Sequence, residues 1–271
     1  MKILVIGPGG VGGYLAYKLK KCGNYVSVLG SGGEVKKLKI KDVDKIDEVD
    51  FDRLDGKYDV VFVTTKSYHL DDVIKILPKY LKEDSVIVPI LNGIGHFEKF
   101  KDFNYKKACI YILSNKENGI IHKKTPLFYL CVEDDEKLRE IFKNCDLKIK
   151  FSDNIDKDIW KKYLFIATFA TLQSYYQKPT GWIMENKRDE AEKFIDEVIR
   201  IAKIYGVDLE DEKEKVIKQA LNIPYESKMS MQIDFENKNK TEVENITGFL
   251  AKNSDFIASF YNSLKTVQEA S

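Results

Sequence analysis

Residues 2–13 read KILVIGPGGVGG, a short β-branched run followed directly by a glycine-rich loop. In a strand–loop–helix unit, Gly7 permits a tight turn, Gly9 lets the backbone approach a pyrophosphate, and Gly12 allows close helix packing. The amides and positive dipole at the helix start favour phosphate. A glycine-rich turn without a ligand is the alternative, but the flanking strands and helix favour a dinucleotide. The predicted contacts are Gly7, Pro8, Gly9, Gly10, Val11 and Gly12.

The first half of the chain alternates β-branched runs with helical patterns. The runs are KILVI, YVSVL, YDVVFVTT and SVIVPIL, and helices are expected from about Val11 to Cys22 and near Leu70 to Tyr80. This alternation predicts a parallel sheet with helices on both faces. Further on, Asn118-Gly119 between apolar runs predicts a β-hairpin, and LKIKF is expected to be the last strand.

A helical period begins after about Ser152 and continues toward the C-terminus. It covers IDKDIWKKYLFIATFATLQSYY, NKRDEAEKFIDEVIRIAKIYG and TEVENITGFLAKN. We therefore predict an α/β protein in which a Rossmann-like dinucleotide-binding domain, residues 1–152, is followed by an all-helical substrate or catalytic domain, residues 153–271.

The composition limits the classes of partner. The 271 residues include 44 Lys and Arg against 43 Asp and Glu, which gives a formal charge of +1. This balance argues against nucleic acid and against an acidic membrane surface as partners. The N-terminal apolar run is too short for a signal peptide or a membrane span. Four cysteines without CxxC or metal-ligand spacing, with only three histidines, predict a reducing cytoplasm and no metal site.

The sequence gives a mixed answer on the choice of dinucleotide. An NAD site usually offers Asp or Glu about 20 residues beyond the loop, and an NADP site an Arg. Here VLGSGGEVKK puts Ser31 at that position, with Glu34, Lys36 and Lys37 beyond it.

Two predicted strands end in polar residues. YDVVFVTT runs into Lys66, and SVIVPIL runs into Asn92-Gly93. Ligands of open α/β sheets lie outside the carboxyl ends of the strands, so Lys66 and Asn92 are candidate crevice residues. Each has a structural alternative, which is a solvated charge at a helix entry for Lys66 and a tight turn for Asn92-Gly93.

Residues 159–170, IWKKYLFIATFA, hold two adjacent lysines in different surroundings. At 3.6 residues per turn, Lys161 shares a face with Lys157, whereas Lys162 lies in an apolar stripe with Phe165 and Ile166. An apolar surround lowers the pKa of an ammonium toward the range that suits a proton donor. The alternative is a lysine whose stem covers apolar surface while its head reaches water.

Two more candidates lie in the helical half. Thr241 and Glu244 have the spacing of a capping box, which would make Glu242 the first helical residue. The structural alternative for Glu242 is stabilisation of the helix dipole. Ser230, within SKMSMQIDFENK, has the alternative of a helix-surface hydroxyl.

Together these positions resemble the ketopantoate reductase family, the NADPH-dependent 2-dehydropantoate 2-reductases of pantothenate biosynthesis, over nearly the whole chain. The shared motifs are GPGGVGG, VTTKSYHLDDVI, PILNGIGHFE, DIWKKYLF and SMQIDFENKNKTEVENITG. The resemblance implies a Rossmann domain followed by a helical domain, with the active site in the cleft between them. It further implies Lys162 as the catalytic lysine and Glu242 as its acidic partner.

The resemblance also implies roles for the remaining candidates. Asn92 would be a ligand on the carbonyl or nicotinamide side, Ser230 a substrate ligand, and Lys66 a crevice lysine near cofactor and substrate. Further dinucleotide contacts are expected at Ser31, Lys66, Asn92 and Glu242. NADP(H) is the cofactor that the family implies, and NAD(H) stays open because Ser31 replaces the family's phosphate-reading arginine.

Two further positions depart from the family pattern. Members usually carry asparagines one and two turns after the catalytic lysine, where this chain has Ile166 and Ala170. The implied reaction is reduction of ketopantoate to pantoate, with Lys162 as general acid. The departures leave open a related reductase with a less polar 2-oxo acid or an imine as substrate, or a non-catalytic dinucleotide-binding sensor. The aromatic residues of the helical half fit either a core or a homodimer surface.

Overall fold

The computed structural model of the protein describes residues 1–270. These residues form two compact units. The first unit contains Met1–Leu91 and His96–Ile155, and the second contains Asn92–Gly95 and the chain from Asp156 onward. The short segment Asn92–Gly95 therefore belongs to the second unit, although the residues on either side of it belong to the first.

The first unit contains the strands and three helices. The strands are β1 (Lys2–Ile6), β2 (Tyr25–Gly30), β3 (Gly33–Glu34), β4 (Lys37–Asp42), β5 (Lys45–Asp50), β6 (Tyr58–Val63), β7 (Leu81–Pro89), β8 (Ala108–Glu117), β9 (Ile120–Glu133) and β10 (Lys148–Ser152). The helices are α1 (Gly10–Lys21), α2 (Leu70–Ile76) and α3 (Glu136–Phe142).

The Rossmann-like sheet has the strand order β3-β2-β1-β6-β7, and its strands are parallel except for β3. Alternate side chains of β1 enter different cores because successive residues of a strand face opposite ways. Ile3 and Val5 join the cluster that includes α1 and α3 residues, whereas Leu4 and Ile6 join the one that includes α2 residues. The prediction of a parallel sheet covered on both faces is confirmed.

A second sheet, with the order β10-β9-β4-β5 and with β8 paired to β9, was not predicted. Its β4–β5 hairpin is formed by KLKIKDVDKIDEVD, a stretch with many charged residues. Leu38 and Ile40 are buried in the apolar core, while their neighbours Lys37 and Lys39 are exposed. One apolar face therefore anchors β4 in the sheet despite its many charged residues. The β8–β9 hairpin confirms the turn predicted at Asn118-Gly119.

The predicted helix from Leu70 to Tyr80 is shorter than expected. α2 ends at Ile76, and a 3-10 turn covers Leu77–Lys79. Pro78 explains the change, because proline has no backbone N–H to donate to the preceding turn of an α-helix.

A disulfide joins Cys22, after the end of α1, to Cys145, after α3. The Asn24 side chain adds to this link, since its Nδ2 donates to the main-chain oxygens of Leu19 and Ile141 at 3.2 and 3.0 Å. The prediction of a reducing cytoplasm, made from unpaired cysteines, did not anticipate this disulfide. Sequence spacing cannot reveal a pairing across 123 residues.

Beyond Asn92–Gly95, the second unit is helical. Its helices are α4 (Ile155–Tyr176, which starts at the unit boundary), α5 (Thr180–Asn186), α6 (Arg188–Ile204), α7 (Lys213–Asn222), α8 (Ser230–Glu236), α9 (Phe249–Ala251) and α10 (Asp255–Glu269), with a π-helical turn at Glu244–Gly248 directly before α9. A single apolar cluster includes residues of α4 to α10. The expected order of a Rossmann-like unit and a helical unit is confirmed.

Within residues 1–270, none of the helices combines the length and apolar character that a membrane span needs. Over the same described range, His, Cys, Asp and Glu side chains form no group of three or more that could hold a metal ion.

Candidate functional site

The glycine loop joins β1 to α1. Gly7 has φ +96°, and Gly9 N donates to Gly7 O at 2.8 Å, which closes the tight turn. A Cβ atom on Gly12 would lie 2.0 Å from Thr64 Oγ1 and 2.4 Å from Gly7 O. Only glycine therefore allows α1 to approach the sheet this closely. The structural roles predicted for Gly7 and Gly12 are confirmed.

The start of α1 has features that suit a phosphate group. Its N-cap residue is Gly9, no side chain caps the first turn, and that turn carries no acidic residue. A Cβ atom on Gly9 would meet no protein atom within 4 Å, so the space beside the loop is open. Unpaired helix amides and the helix dipole favour an anion at such an end. The residues present therefore fit the pyrophosphate of a dinucleotide.

The second sheet explains two neighbouring glycines. A Cβ atom on Gly10 would lie 2.6 Å from Ser114 O in β8, and one on Gly13 would lie 1.9 Å from the Ile121 side chain in β9. Sequence reasoning gave no account of Gly13. Its reason lies in a strand that is distant in sequence.

The candidates for cofactor choice lie in loops of the first unit. Ser31 is exposed in the turn between β2 and β3. Glu34, the acidic residue closest after it, accepts a hydrogen bond from Leu54 N at 2.5 Å and so helps to hold the segment before β6. Lys66 is half-buried and immediately precedes a 3-10 turn, Ser67–His69.

The two adjacent lysines of α4 have different partners in the second unit. Lys162 Nζ donates to the side-chain oxygen of Asn92, Oδ1, at 3.0 Å. Lys161 instead forms a 3.0 Å ion pair with Glu212. Burial alone would raise the pKa of Glu212, but hydrogen bonds from Lys215 and Lys161 outweigh it and lower that pKa. Lys161 thus has a structural partner, whereas Lys162 meets a residue that the sequence had marked as a candidate.

Asn92 begins the loop segment that belongs to the helical unit. Gly93 has φ +88°, so the pair forms a turn that favours glycine at its second position. The Asn245 side chain donates from Nδ2 to the main-chain oxygen of Asn92. Sequence reasoning did not single out Asn245, because an asparagine three residues after Glu242 carries no recognisable motif.

Glu242 lies directly before the helical segment that starts at Val243 and is 4% exposed. The predicted capping box is wrong. The Glu244 carboxylate accepts a hydrogen bond from Tyr261 Oη at 2.6 Å rather than capping the backbone, and Thr241 Oγ1 accepts one from Val243 N at 3.3 Å. Glu242 is therefore held at the entry to a π-helical turn and not inside a regular first turn.

Ser230 is the first residue of α8 and is exposed. The residue before it, Met229, donates from its main-chain N to Gln173 Oε1 at 2.7 Å. Gln173 is fully buried in α4, so the helix that carries Lys162 also fixes the start of α8.

The two positions at which the resemblance implies asparagines, Ile166 and Ala170, differ in exposure. Ala170 is 1% exposed and part of the apolar cluster, whereas Ile166 is half-buried at its margin. Phe165 packs on Phe169 with ring centroids 4.8 Å apart. The α4 surface one turn beyond Lys162 therefore carries apolar side chains.

The structure thus brings together some of the predicted residues. Asn92 and Lys162 are in direct contact within the second unit, which also contains Ser230 and Glu242. The glycine loop, Ser31 and Lys66 are in the first unit.

Comparison with known proteins agrees with this architecture. The family described as ketopantoate reductase PanE/ApbA matches residues 3–125, and its C-terminal counterpart matches residues 154–255. The chain belongs to the ketopantoate reductase family. These two matches together cover most of its length and identify it as an oxidoreductase of that family.

Among its relatives is an uncharacterized oxidoreductase, YkpB, from Bacillus subtilis strain 168, which is 31% identical over 98% of this chain and 96% of its own length. A dimeric ketopantoate reductase from Staphylococcus aureus has a TM-score of 0.91 at 22% identity and covers 100% of this chain and 99% of its own. D-mandelate dehydrogenase, in a ternary structure with NADH and anilino(oxo)acetate, has a TM-score of 0.86 at 18% identity. The match covers 100% of this chain and 99% of the dehydrogenase chain. The two structures show that the fold is shared.

Proposed function

We propose that this member of the ketopantoate reductase family reduces a 2-oxo acid to the 2-hydroxy acid with a nicotinamide dinucleotide. Ketopantoate is the first candidate substrate, and NADP(H) is the first candidate cofactor. The observation that carries the proposal is the 3.0 Å hydrogen bond between Lys162 Nζ and Asn92 Oδ1, in a chain whose first unit has a glycine loop that fits a pyrophosphate.

The backbone of residues 9–12 would hold the dinucleotide, which supplies the hydride for the carbonyl carbon when bound. The carbonyl oxygen then gains negative charge and requires a proton. Lys162 Nζ stabilises that charge and donates the proton. Asn92 Oδ1 orients the ammonium by accepting one of its N–H bonds. Lys162 regains its proton from water after the 2-hydroxy acid forms.

Two further side chains have proposed roles. Glu242, whose carboxyl group is buried, is assigned as the acidic partner of Lys162. The Ser230 hydroxyl, exposed at the start of α8, binds the substrate. Lys66 and Ser31 are proposed contacts of the dinucleotide in the first unit.

A less polar 2-oxo acid is the second candidate substrate. The observation that favours it is Ile166, a half-buried apolar side chain one turn beyond Lys162, with Ala170 buried behind it. D-mandelate dehydrogenase, which shares the fold, was seen with the aromatic compound anilino(oxo)acetate and NADH. Benzoylformate, the oxo acid that corresponds to mandelate, is therefore the matching test compound. An imine substrate is the remaining alternative.

Ser31 leaves the cofactor preference between NADPH and NADH to experiment, because a hydroxyl provides neither the charge that pairs with a 2′-phosphate nor the carboxylate that holds a ribose. Action in the cytoplasm as a homodimer remains part of the proposal, and the dimeric Staphylococcus aureus enzyme is consistent with the dimer.

The decisive experiment follows the oxidation of NADPH and NADH at 340 nm with ketopantoate, benzoylformate and other 2-oxo acids, for the wild-type protein and Lys162→Ala. We expect turnover that depends on Lys162. Cofactor binding without turnover of any 2-oxo acid would instead indicate an imine reductase or a non-catalytic sensor, and an imine panel separates the two.

A further inference from the structure

Asn245 connects two parts of the second unit that are far apart in sequence. It lies in the π-helical turn Glu244–Gly248, and its Nδ2 donates to the main-chain oxygen of Asn92. The same Asn92 accepts the hydrogen bond of Lys162 Nζ with its side chain. Asn245 therefore holds the backbone of the residue that orients the lysine.

The backbone of Gly93 approaches Asn245 unusually closely. A Cβ atom on Gly93 would lie 2.4 Å from Asn245 Nδ2 and 2.5 Å from Asn245 O, which is closer than real Cβ contacts. The turn therefore packs directly on Asn245, and the glycine is required by this contact as well as by its φ of +88°.

The π-helical turn is anchored to the helix that carries Lys162. Thr171 Oγ1 and Thr247 Oγ1 are 2.8 Å apart and buried, and Tyr163 Oη donates to the main-chain oxygen of Ile246. Burial raises the pKa of the Tyr163 hydroxyl, so it stays protonated and remains a donor. The two ends of the Lys162–Asn92–Asn245 chain of contacts are thus fixed to the same helix, α4.

A π-helical turn widens the helix and frequently occurs at functional sites. Here Glu242 O accepts hydrogen bonds from both Asn245 N, at 3.0 Å, and Ile246 N, at 2.9 Å. This irregular start sets the position from which the Asn245 side chain reaches the Asn92 backbone. The same main-chain bonds tie Glu242 to Asn245.

We propose that Asn245 is a positioning residue for the Lys162–Asn92 pair. Its amide fixes the Asn92 main chain so that Oδ1 meets the ammonium, and this sets the direction in which Lys162 presents its proton. The proposal rests on the function proposed above. In it, Asn245 affects the reaction indirectly, by fixing the position of Asn92.

Asn245→Asp is the sharpest variant, because it keeps the size of the side chain and replaces the N–H donor with an acceptor. We expect kcat for the best 2-oxo acid to fall about tenfold to a hundredfold, the scale expected for a slightly misplaced catalytic group. The KM for the oxo acid and the Kd for the dinucleotide should change less than about twofold, because the variant keeps the contacts that bind both molecules before the reaction. Glu244→Gln, on the same turn but bonded to Tyr261, is the matched control and should retain kcat.

A double-mutant cycle separates positioning from general destabilisation. If Asn245 acts through Asn92, then Asn245→Asp should lower kcat much less in an Asn92→Ala background than in the wild type. Equal losses in both backgrounds would overturn the proposal. Asn245→Ala enters the same cycle if Asn245→Asp does not fold.

A crystal structure of the Asn245 variant tests the positioning without any assay. The proposal requires the Asn92 Oδ1–Lys162 Nζ distance to exceed hydrogen-bond range, about 3.5 Å, in the variant. An unchanged distance would refute it whatever the activity. If the wild-type protein reduces no 2-oxo acid, the proposed function fails, while this distance still decides the role of Asn245.

Discussion

Lys162 Nζ donates to Asn92 Oδ1 at 3.0 Å, and 70 residues separate the two in the chain. Asn92 follows a strand of the Rossmann-like sheet, yet its segment packs in the helical unit with α4. The contact therefore lies within the second unit and joins the segment Asn92–Gly95 to helix α4. This arrangement gives a lysine on an apolar stripe a specific acceptor for its ammonium.

The adjacent lysines provide a matched pair of variants. Lys162→Ala should lower kcat/KM by about 10²-fold or more, the usual contribution of a general acid. Lys161→Ala should leave kcat/KM within about twofold, because Lys161 pairs with Glu212 rather than with Asn92, and Glu212 keeps Lys215 as a partner. Steady-state kinetics of both variants test this difference in kcat/KM, and fluorescence titration shows whether each variant still binds the dinucleotide. Equal losses in both variants would argue against a special role for Lys162.

Two variants of the glycine loop should distinguish an effect on ligand binding from an effect on stability. Gly9→Ala should keep the wild-type Tm, because a Cβ atom there meets no protein atom within 4 Å, and should weaken dinucleotide binding by about tenfold or more, since the backbone approach is lost. Gly12→Ala should lower Tm, because its Cβ atom overlaps Thr64 Oγ1. Calorimetric titration and thermal unfolding test this contrast. Unchanged affinity in Gly9→Ala would place the dinucleotide elsewhere.

Ile166 is expected to influence substrate choice. Ile166→Asn places the asparagine that the resemblance implies at this half-buried position, so we expect the ratio of kcat/KM for ketopantoate to that for benzoylformate to rise about tenfold or more. Ile166→Leu keeps the apolar character and volume and should leave the ratio unchanged. A ratio that both substitutions leave unchanged would show that this position does not select the substrate.

The Cys22–Cys145 disulfide should stabilise the first unit. It closes a loop of 123 residues in sequence, and removing a disulfide typically costs about 2–5 kcal/mol. Cys22→Ser should therefore unfold at lower denaturant concentration than the wild type. Dithiothreitol should lower the wild-type midpoint to the same value and leave the variant unaffected. A wild-type midpoint insensitive to the reductant would contradict the prediction.

Asp42 should make stability dependent on pH in the acid range. Burial opposes its ionisation, but hydrogen bonds from Lys123, at 2.9 Å, and Tyr14, at 2.8 Å, outweigh burial and lower its pKa. A carboxyl with a folded pKa below the unfolded value contributes stability above the unfolded pKa of about 3.9, and that stability is lost as pH falls through the folded pKa. Asp42→Asn should lose less stability between about pH 5 and pH 2 than the wild type in urea unfolding. An identical slope in both proteins would show that Asp42 is not responsible.

The sequence predicted features that depend on neighbouring residues. The β1 run and the glycine loop specify a strand, a turn and a helix through local backbone geometry, so the roles of Gly7 and Gly12 were readable. The helical period marked α4 and distinguished Lys162 from Lys161 by face. These inferences succeeded because residues within one turn or one strand determine them.

Only the tertiary structure decided the contacts between segments distant in sequence. It showed the second sheet, the disulfide between Cys22 and Cys145, and the contact of Asn245 with the Asn92 backbone. No local period encodes such pairings, because they depend on how whole elements pack. The capping-box prediction failed for the same reason, since the π-helical turn is fixed by hydrogen bonds to α4 and Glu244 is drawn to Tyr261. Local chemistry thus marked Lys162, and packing supplied Asn92 and Asn245 around it.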